Sequence, residues 1–139
     1  MSRKAAKALS FFSMKTENEI AHIVVDSCFK IHTKLGPGLL ESAYEEVVAY
    51  ELNRRGLQFK RQFPIGLHYE ELVVLEAFRA DLIVEDKVIL ELKSVENIQS
   101  VHSKQVLTYL KLTGFKLGLL INFGAPLIKN GITRLVNKL

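Results

Sequence analysis

Apolar residues recur along this chain first at the spacing of a helix and then at the spacing of a strand. Ile20, Ile23, Val24, Cys28, Ile31 and Leu35 fall on one helical face. Ahead of them Thr16-Glu17-Asn18-Glu19 has the form of a capping box, with Thr16 able to cap and Glu19 able to reach back. Gly36-Pro37-Gly38 ends this helix, because proline cannot continue it and glycine tolerates the turn. A second stripe, Leu40, Ala43, Tyr44, Val47, Val48 and Leu52, predicts a helix over about 39–55 closed by Gly56. Two closely spaced helices imply an antiparallel pair. The period then drops to two: Leu57, Phe59, Arg61 and Phe63 hold alternate positions, as do parts of 65–74, so strands begin here. Pro64 belongs at an edge or a bulge. Segments 78–84 and 88–95 read as two more strands joined by Glu85-Asp86-Lys87. A helix over about 97–113 closed by Gly114, a short apolar strand over 115–122 and a weaker one over 128–136 complete the pattern. The order is α-α-β-β-β-α-β-β, one α+β domain with a mostly antiparallel sheet.

The length of 139 residues suits a single domain with its own core. Hydrophobic residues at 48% and charged residues at 24% describe an ordinary globular chain and argue against extensive disorder. No apolar run is long enough for a membrane span. The acid-free, basic stretch 1–15 reads as a loosely attached tail, with a weak organelle-targeting peptide as the alternative, and 16–139 as the folded domain. The single Cys28 excludes an internal disulfide and a cysteine-based zinc site, and suits a reducing cytoplasm. Its place on an apolar stripe makes it a packing residue rather than a reactive thiol. Lysine and arginine exceed the acids by 19 to 15, a net charge of +4, which permits a polyanionic partner without requiring one.

The chemistry concentrates on one hairpin. With Glu85-Asp86-Lys87 as a three-residue loop and Val84 opposite Val88, Asp81 falls opposite Glu91 and Arg79 opposite Lys93. One face then carries Phe78, Ala80, Leu82, Val84, Val88, Leu90 and Leu92. The other carries Arg79, Asp81, Ile83, Ile89, Glu91 and Lys93. Without a glycine in the loop, Asp86 or Lys87 takes the left-handed position. Two carboxylates directly across a ladder repel each other. Mg²⁺ would offset that repulsion, since it prefers oxygen donors and accepts one or two carboxylates. Lys93 adds a cation beside it, the combination that phosphodiester hydrolysis uses. The plainer alternative is a solvated strand face whose acids pair with Arg79 and Lys93.

Arg79-Ala-Asp81-Leu-Ile-Val and, ten residues after the aspartate, Glu91-Leu-Lys93 resemble the Asp…Glu-x-Lys signature of the PD-(D/E)XK nuclease superfamily. Gly38-Leu-Leu-Glu41-Ser-Ala-Tyr44 resembles the motif of the GxxExxY protein family, placed within that superfamily. His102-x-x-Gln105-x-x-x-Tyr109 is similar to that family's downstream motif. The resemblance spans about 17–122. Asp81 is not preceded by proline, a departure the superfamily tolerates. The resemblance implies an α/β core, an α+β sandwich of restriction-endonuclease type with a mixed, mostly antiparallel sheet flanked by helices. It also implies Mg²⁺-dependent phosphodiester cleavage, with Mn²⁺ as substitute, DNA being a more expected substrate than RNA.

Carried over by position, Asp81, Glu91, the backbone carbonyl of Leu92 and Glu41 would hold the metal. Lys93 would orient or activate the attacking water, and Gln105 and Tyr109 would hold a phosphate or a water. Glu41 and Tyr44 lie one turn apart and project together, although an acid in a helix's first turn is also favourable in itself. Gln105, Tyr109 and His102 share a helical face and could equally be polar residues at the rim of the core. Arg79, Lys104, His102, Lys60 and Arg61 are candidate nucleic-acid contacts, on the same footing as a solvated surface cluster. The rival to a nuclease is a non-catalytic nucleic-acid-binding or interaction module that keeps the fold. A homodimer could supply the substrate surface that a chain this small lacks.

Overall fold

The computed structural model describes residues 14–139, so the basic tail, apart from its last two residues, lies outside the described residues. Helix α1 is Glu17–Leu35, and the Thr16–Glu19 capping box forms in both directions. It stops at Gly36, whose φ of 68° costs a glycine little. Helix α2, Glu41–Arg54, starts two residues later than the hydrophobic stripe suggests. Strand β1, Phe59–Tyr69, turns into β2, Leu72–Val84, and β3 is Val88–Lys93. Helix α3, Ser100–Thr113, ends at the left-handed Gly114. Strand β4, Leu117–Asn122, a single helical turn α4, Ile128–Gly131, and β5, Ile132–Val136, complete the chain.

Two further boundaries and one turn depart from the sequence reading in ways that shape the sheet. Strand β2 begins at Leu72 rather than near Phe78, because the β1–β2 ribbon runs on past the rest of the sheet to a turn at Glu70, with an irregular register around Gly66. A Cβ on Gly66 would fall 2.5 Å from the Val74 carbonyl oxygen, so the bulge needs glycine there. The terminal strand is preceded by α4, not extended through it: Gly131 packs against the end of β4, where a Cβ would sit 2.3 Å from the Asn122 carbonyl oxygen. In the tight turn, Glu85 and Asp86 take positive φ, not Lys87, since Lys87 N–H closes the turn onto the Val84 carbonyl at 3.0 Å.

The five strands lie in the order β1-β2-β3-β4-β5. All neighbours are antiparallel except β3 and β4, which are parallel and joined through α3. Pro64 sits on the edge strand β1, where a missing amide hydrogen is tolerated. Helices α1 and α2 cover one face. Tyr44, Leu52, Cys28, Leu82, Val84, Val88, Leu90, Leu92, Leu119 and Ile121 interlock there with Phe123. Helix α3 covers the other, over Ile83, Ile89, Ile65 and Ala80, with Phe78 stacked on Tyr109 at 3.6 Å between ring centroids. Phe78 and Ala80 therefore leave the face expected for them and pack under α3, so the alternation read from sequence holds only from Leu82 onward. Strands β3 and β4 are buried on both sides. This puts the end of β3, with its acid and lysine, at a seam between two helical layers.

Candidate active site

The β2–β3 ladder has the expected register, Val84 against Val88, Ile83 against Ile89 and Leu82 against Leu90, and there it stops. One step further, side chains replace carbonyls as acceptors. Glu91 Oε1 accepts from the Asp81 N–H at 3.2 Å, and Asp81 Oδ2 accepts from the Leu92 N–H at 2.8 Å. The two strands part at this crossed pair of carboxylate–amide bonds. A cleft of about 400 Å³ opens beside it, lined by Glu41, Ser42, Glu45, Gln62, Asp81 and Leu92.

Both acids are held in surroundings that disfavour their charge. Glu91 is 7% exposed; burial, then the Asp81 carboxylate, push its carboxyl up to about 8. Burial also raises Asp81, although the Leu92 amide and Gln62 act against it. Lys93 lowers both, and Glu41 raises Glu91, so both groups lie within electrostatic reach of the pair. Tyr109 of α3 joins them: burial and the charges of Glu91 and Asp81 raise its hydroxyl. Among the described residues the Lys93 ammonium donates no hydrogen bond.

The first turn of α2 is anchored to the strand end. Tyr44, fully buried and stacked on Phe123 at 4.4 Å, donates to the Gly36 carbonyl at 2.5 Å and accepts from the Leu39 N–H at 3.3 Å. Ser94, next to Lys93, donates to the Leu39 carbonyl at 2.5 Å, and its N–H reaches Glu41 at 3.4 Å. From the far side Asn122 of β4 brackets Val95, accepting from its N–H at 3.0 Å and donating to its carbonyl at 2.8 Å. The backbone leaving Lys93 is thus fixed on both sides.

Glu45 and Gln62 were not singled out from sequence. Glu45 lies one turn beyond Glu41 on the same face, a signal that was available. It is buried, takes two bonds from the Arg61 guanidinium at 2.9 and 3.1 Å, and takes a third from Gln62 at 2.5 Å. Gln62 gives no such signal, because it stands at an ordinary strand position. Its φ of 48° is a left-handed conformation that costs a non-glycine residue about 1–3 kcal/mol.

Other expected contacts lie elsewhere. Arg79 does not face Lys93; it pairs with Pro64 across the ribbon and forks onto Glu76 at 2.7 Å. Lys60 pairs with Asp86 at 3.1 Å, and Arg61 with Glu45 and Glu46. Three of the five residues considered for phosphate contact are therefore engaged with the chain's own acids. His102 Nδ1 accepts from the Gln99 N–H at 3.1 Å, capping its own helix. Gln105 and Lys104 are exposed on α3, and of this helix's motif only Tyr109 reaches the carboxylates.

The available donors are all oxygens: two carboxylates, a third from Glu41 nearby, and the Leu92 carbonyl. That set fits Mg²⁺ or Mn²⁺ and not a thiophilic ion. Among the described residues no three Asp, Glu, His or Cys side chains form a ready cage. Mg²⁺ needs none, since it takes one or two carboxylates and keeps several waters.

Comparison with known proteins agrees with this geometry. No curated protein and no solved structure matches the chain. A family model of the PD-(D/E)XK nuclease superfamily matches residues 18–135, which takes in every helix and strand but for the first residue of α1 and the last residue of β5. The chain belongs to the PD-(D/E)XK nuclease superfamily.

Proposed function

We propose that this protein is a Mg²⁺-dependent nuclease that hydrolyses phosphodiester bonds of nucleic acid, DNA in preference to RNA, and that it is of the GxxExxY type. One observation carries the reading. Asp81 and Glu91, a half-buried and a buried carboxylate that repel each other when both are charged, meet where the sheet opens onto a cleft, with Lys93 beside them and, among the described residues, no cation bonded to either. A divalent ion would stabilise a site of this kind by offsetting both charges in place of the proton that Glu91 otherwise keeps.

Asp81, Glu91 and the Leu92 carbonyl are the donors for that ion, with Glu41 completing the set directly or through water. When bound, the ion polarises the scissile phosphate and makes its water a stronger nucleophile. Lys93 would orient the attacking water and offset charge developing on the phosphate as the water oxygen bonds to phosphorus, its proton passes to solvent and the ester oxygen departs. Tyr109 is in reach to hold a phosphate oxygen through its hydroxyl, which stays protonated because its surroundings raise it.

The test is a panel of labelled DNA and RNA substrates, linear and structured, incubated with Mg²⁺, Mn²⁺ or EDTA. Cleavage is expected with either metal and not with EDTA, and not from an Asp81→Asn chain under any condition. If no substrate is cut and calorimetry detects no Mn²⁺ binding to the unmodified protein, the reading is wrong.

A further inference from the structure

Gln62 is a strained residue with an occupied side chain. Its left-handed backbone aims the amide at two acids, donating to Glu45 Oε1 at 2.5 Å and to Asp81 Oδ1 at 3.2 Å. Both partners only accept, so the nitrogen is the atom that faces them. Glu45 is saturated as well, since Oε2 is held by Arg61. This second acid of the cleft is thus already neutralised by donors of the chain. A second metal ion, which two-metal hydrolases hold about 3.5–4 Å from the first, would need such an acid as a ligand.

We propose that Gln62 is a positioning residue whose amide takes the place of a second cation between Asp81 and Glu45, so that the site operates with one divalent ion. This rests on the nuclease reading and adds the metal stoichiometry to it. Three observations converge on it. Backbone strain in the middle of a strand persists only where surrounding interactions hold it, and here those two amide bonds act together with the Arg79 guanidinium, which donates to the Gln62 carbonyl at 3.4 Å. The amide fixes the Oδ1 edge of Asp81 while the Leu92 N–H fixes Oδ2, leaving the carboxylate one orientation toward the cleft. Arg61 prevents Glu45 from swinging inward to serve as a ligand.

The test titrates the full-length protein with Mn²⁺, followed by calorimetry and by frozen-solution electron paramagnetic resonance. The unmodified chain should take one ion and give the spectrum of isolated Mn²⁺. Gln62→Gly removes the amide and relieves the backbone, so it should fold at least as well. It should bind the first ion roughly tenfold more weakly and admit a second, seen as an exchange-coupled spectrum. Gln62→Met keeps the length and the strain without a donor; it should bind as the glycine variant does while melting lower. Two ions in the unmodified chain, or unchanged titrations in either variant, would overturn the proposal and leave the nuclease reading standing. No Mn²⁺ binding by the unmodified chain would overturn both.

Discussion

Replacing Glu91 by glutamine isolates the electrostatic cost of the site. The substitution keeps an oxygen to accept from the Asp81 N–H and removes the charge. In the folded protein burial and the Asp81 carboxylate hold the Glu91 carboxyl up to about 8, against 4.5 for the unperturbed group. Between those values the unfolded chain has released this proton and the folded chain keeps it. Stability therefore falls as pH rises through the window and stays low above it. At about 1.4 kcal/mol per pH decade the deficit approaches roughly 4–5 kcal/mol above pH ~8. Water penetration and relaxation at a site that borders a cleft make about 2 kcal/mol the smallest gap expected between acid and alkaline conditions. For a domain of this size, that corresponds to a rise in Tm of about 6 °C or more for Glu91→Gln near pH ~8.5, and little change near pH ~4.5. The assay is calorimetric melting of both chains across this range without metal. Mn²⁺ should then raise the Tm of the unmodified chain most at alkaline pH, since binding displaces the proton, and leave the variant unmoved. A Tm difference independent of pH would refute the reasoning, because it would mean that the Glu91 carboxyl titrates alike folded and unfolded.

Asp81→Asn keeps an acceptor for the Leu92 N–H and should stay folded while losing the Mn²⁺-dependent rise in Tm, measured by the same melts. Lys93→Ala should abolish cleavage in gel assays and change DNA affinity little, because this one ammonium removes at most a single phosphate contact, a salt-dependence slope change of about 0.9 on duplex DNA. Tyr44→Phe leaves the Gly36 carbonyl and the Leu39 N–H without their partner and should cost about 1–3 kcal/mol in denaturant unfolding. The same variant should bind Mn²⁺ more weakly, since the loop it releases leads directly into Glu41 at the start of α2; unchanged affinity would remove Glu41 from the donor set.

The parts of this molecule legible in sequence are those governed by local patterning. The Thr16 cap, the Gly36 and Gly114 stops and the Val84–Val88 register each follow from residues a few positions apart. The register was fixed because a slip would have buried Glu91 among leucines. Contacts between distant elements left no such trace. That Phe78 packs on Tyr109 depends on where α3 crosses the sheet, not on the alternation of β2. That Arg61 serves Glu45 rather than a phosphate depends on how closely α2 approaches β1. Strand parity set Asp81 against Glu91, yet gave no sign that each carboxylate would bond to the other strand's backbone, because parity assumes the ladder continues. Gln62 is the clearest case, since a left-handed residue inside a strand follows from no local rule.

The crossed bonds at the strand end change what the persistence of these acids means in a lineage. Asp81 and Glu91 each close a backbone amide that the parted strands would otherwise leave unbonded. Losing either to an apolar residue would strand a donor at a cost of about 1–3 kcal/mol, even in a protein that had stopped cutting nucleic acid. Selection for folding alone would then preserve these positions as acids or their amides, and their presence in a relative would be poor testimony to activity. Lys93 has no such second employment. Its ammonium supports no backbone group and bonds no side chain among the described residues, so drift would remove it first once catalysis ceased. A relative that keeps both acids and lacks the lysine would therefore be expected to fold without cutting.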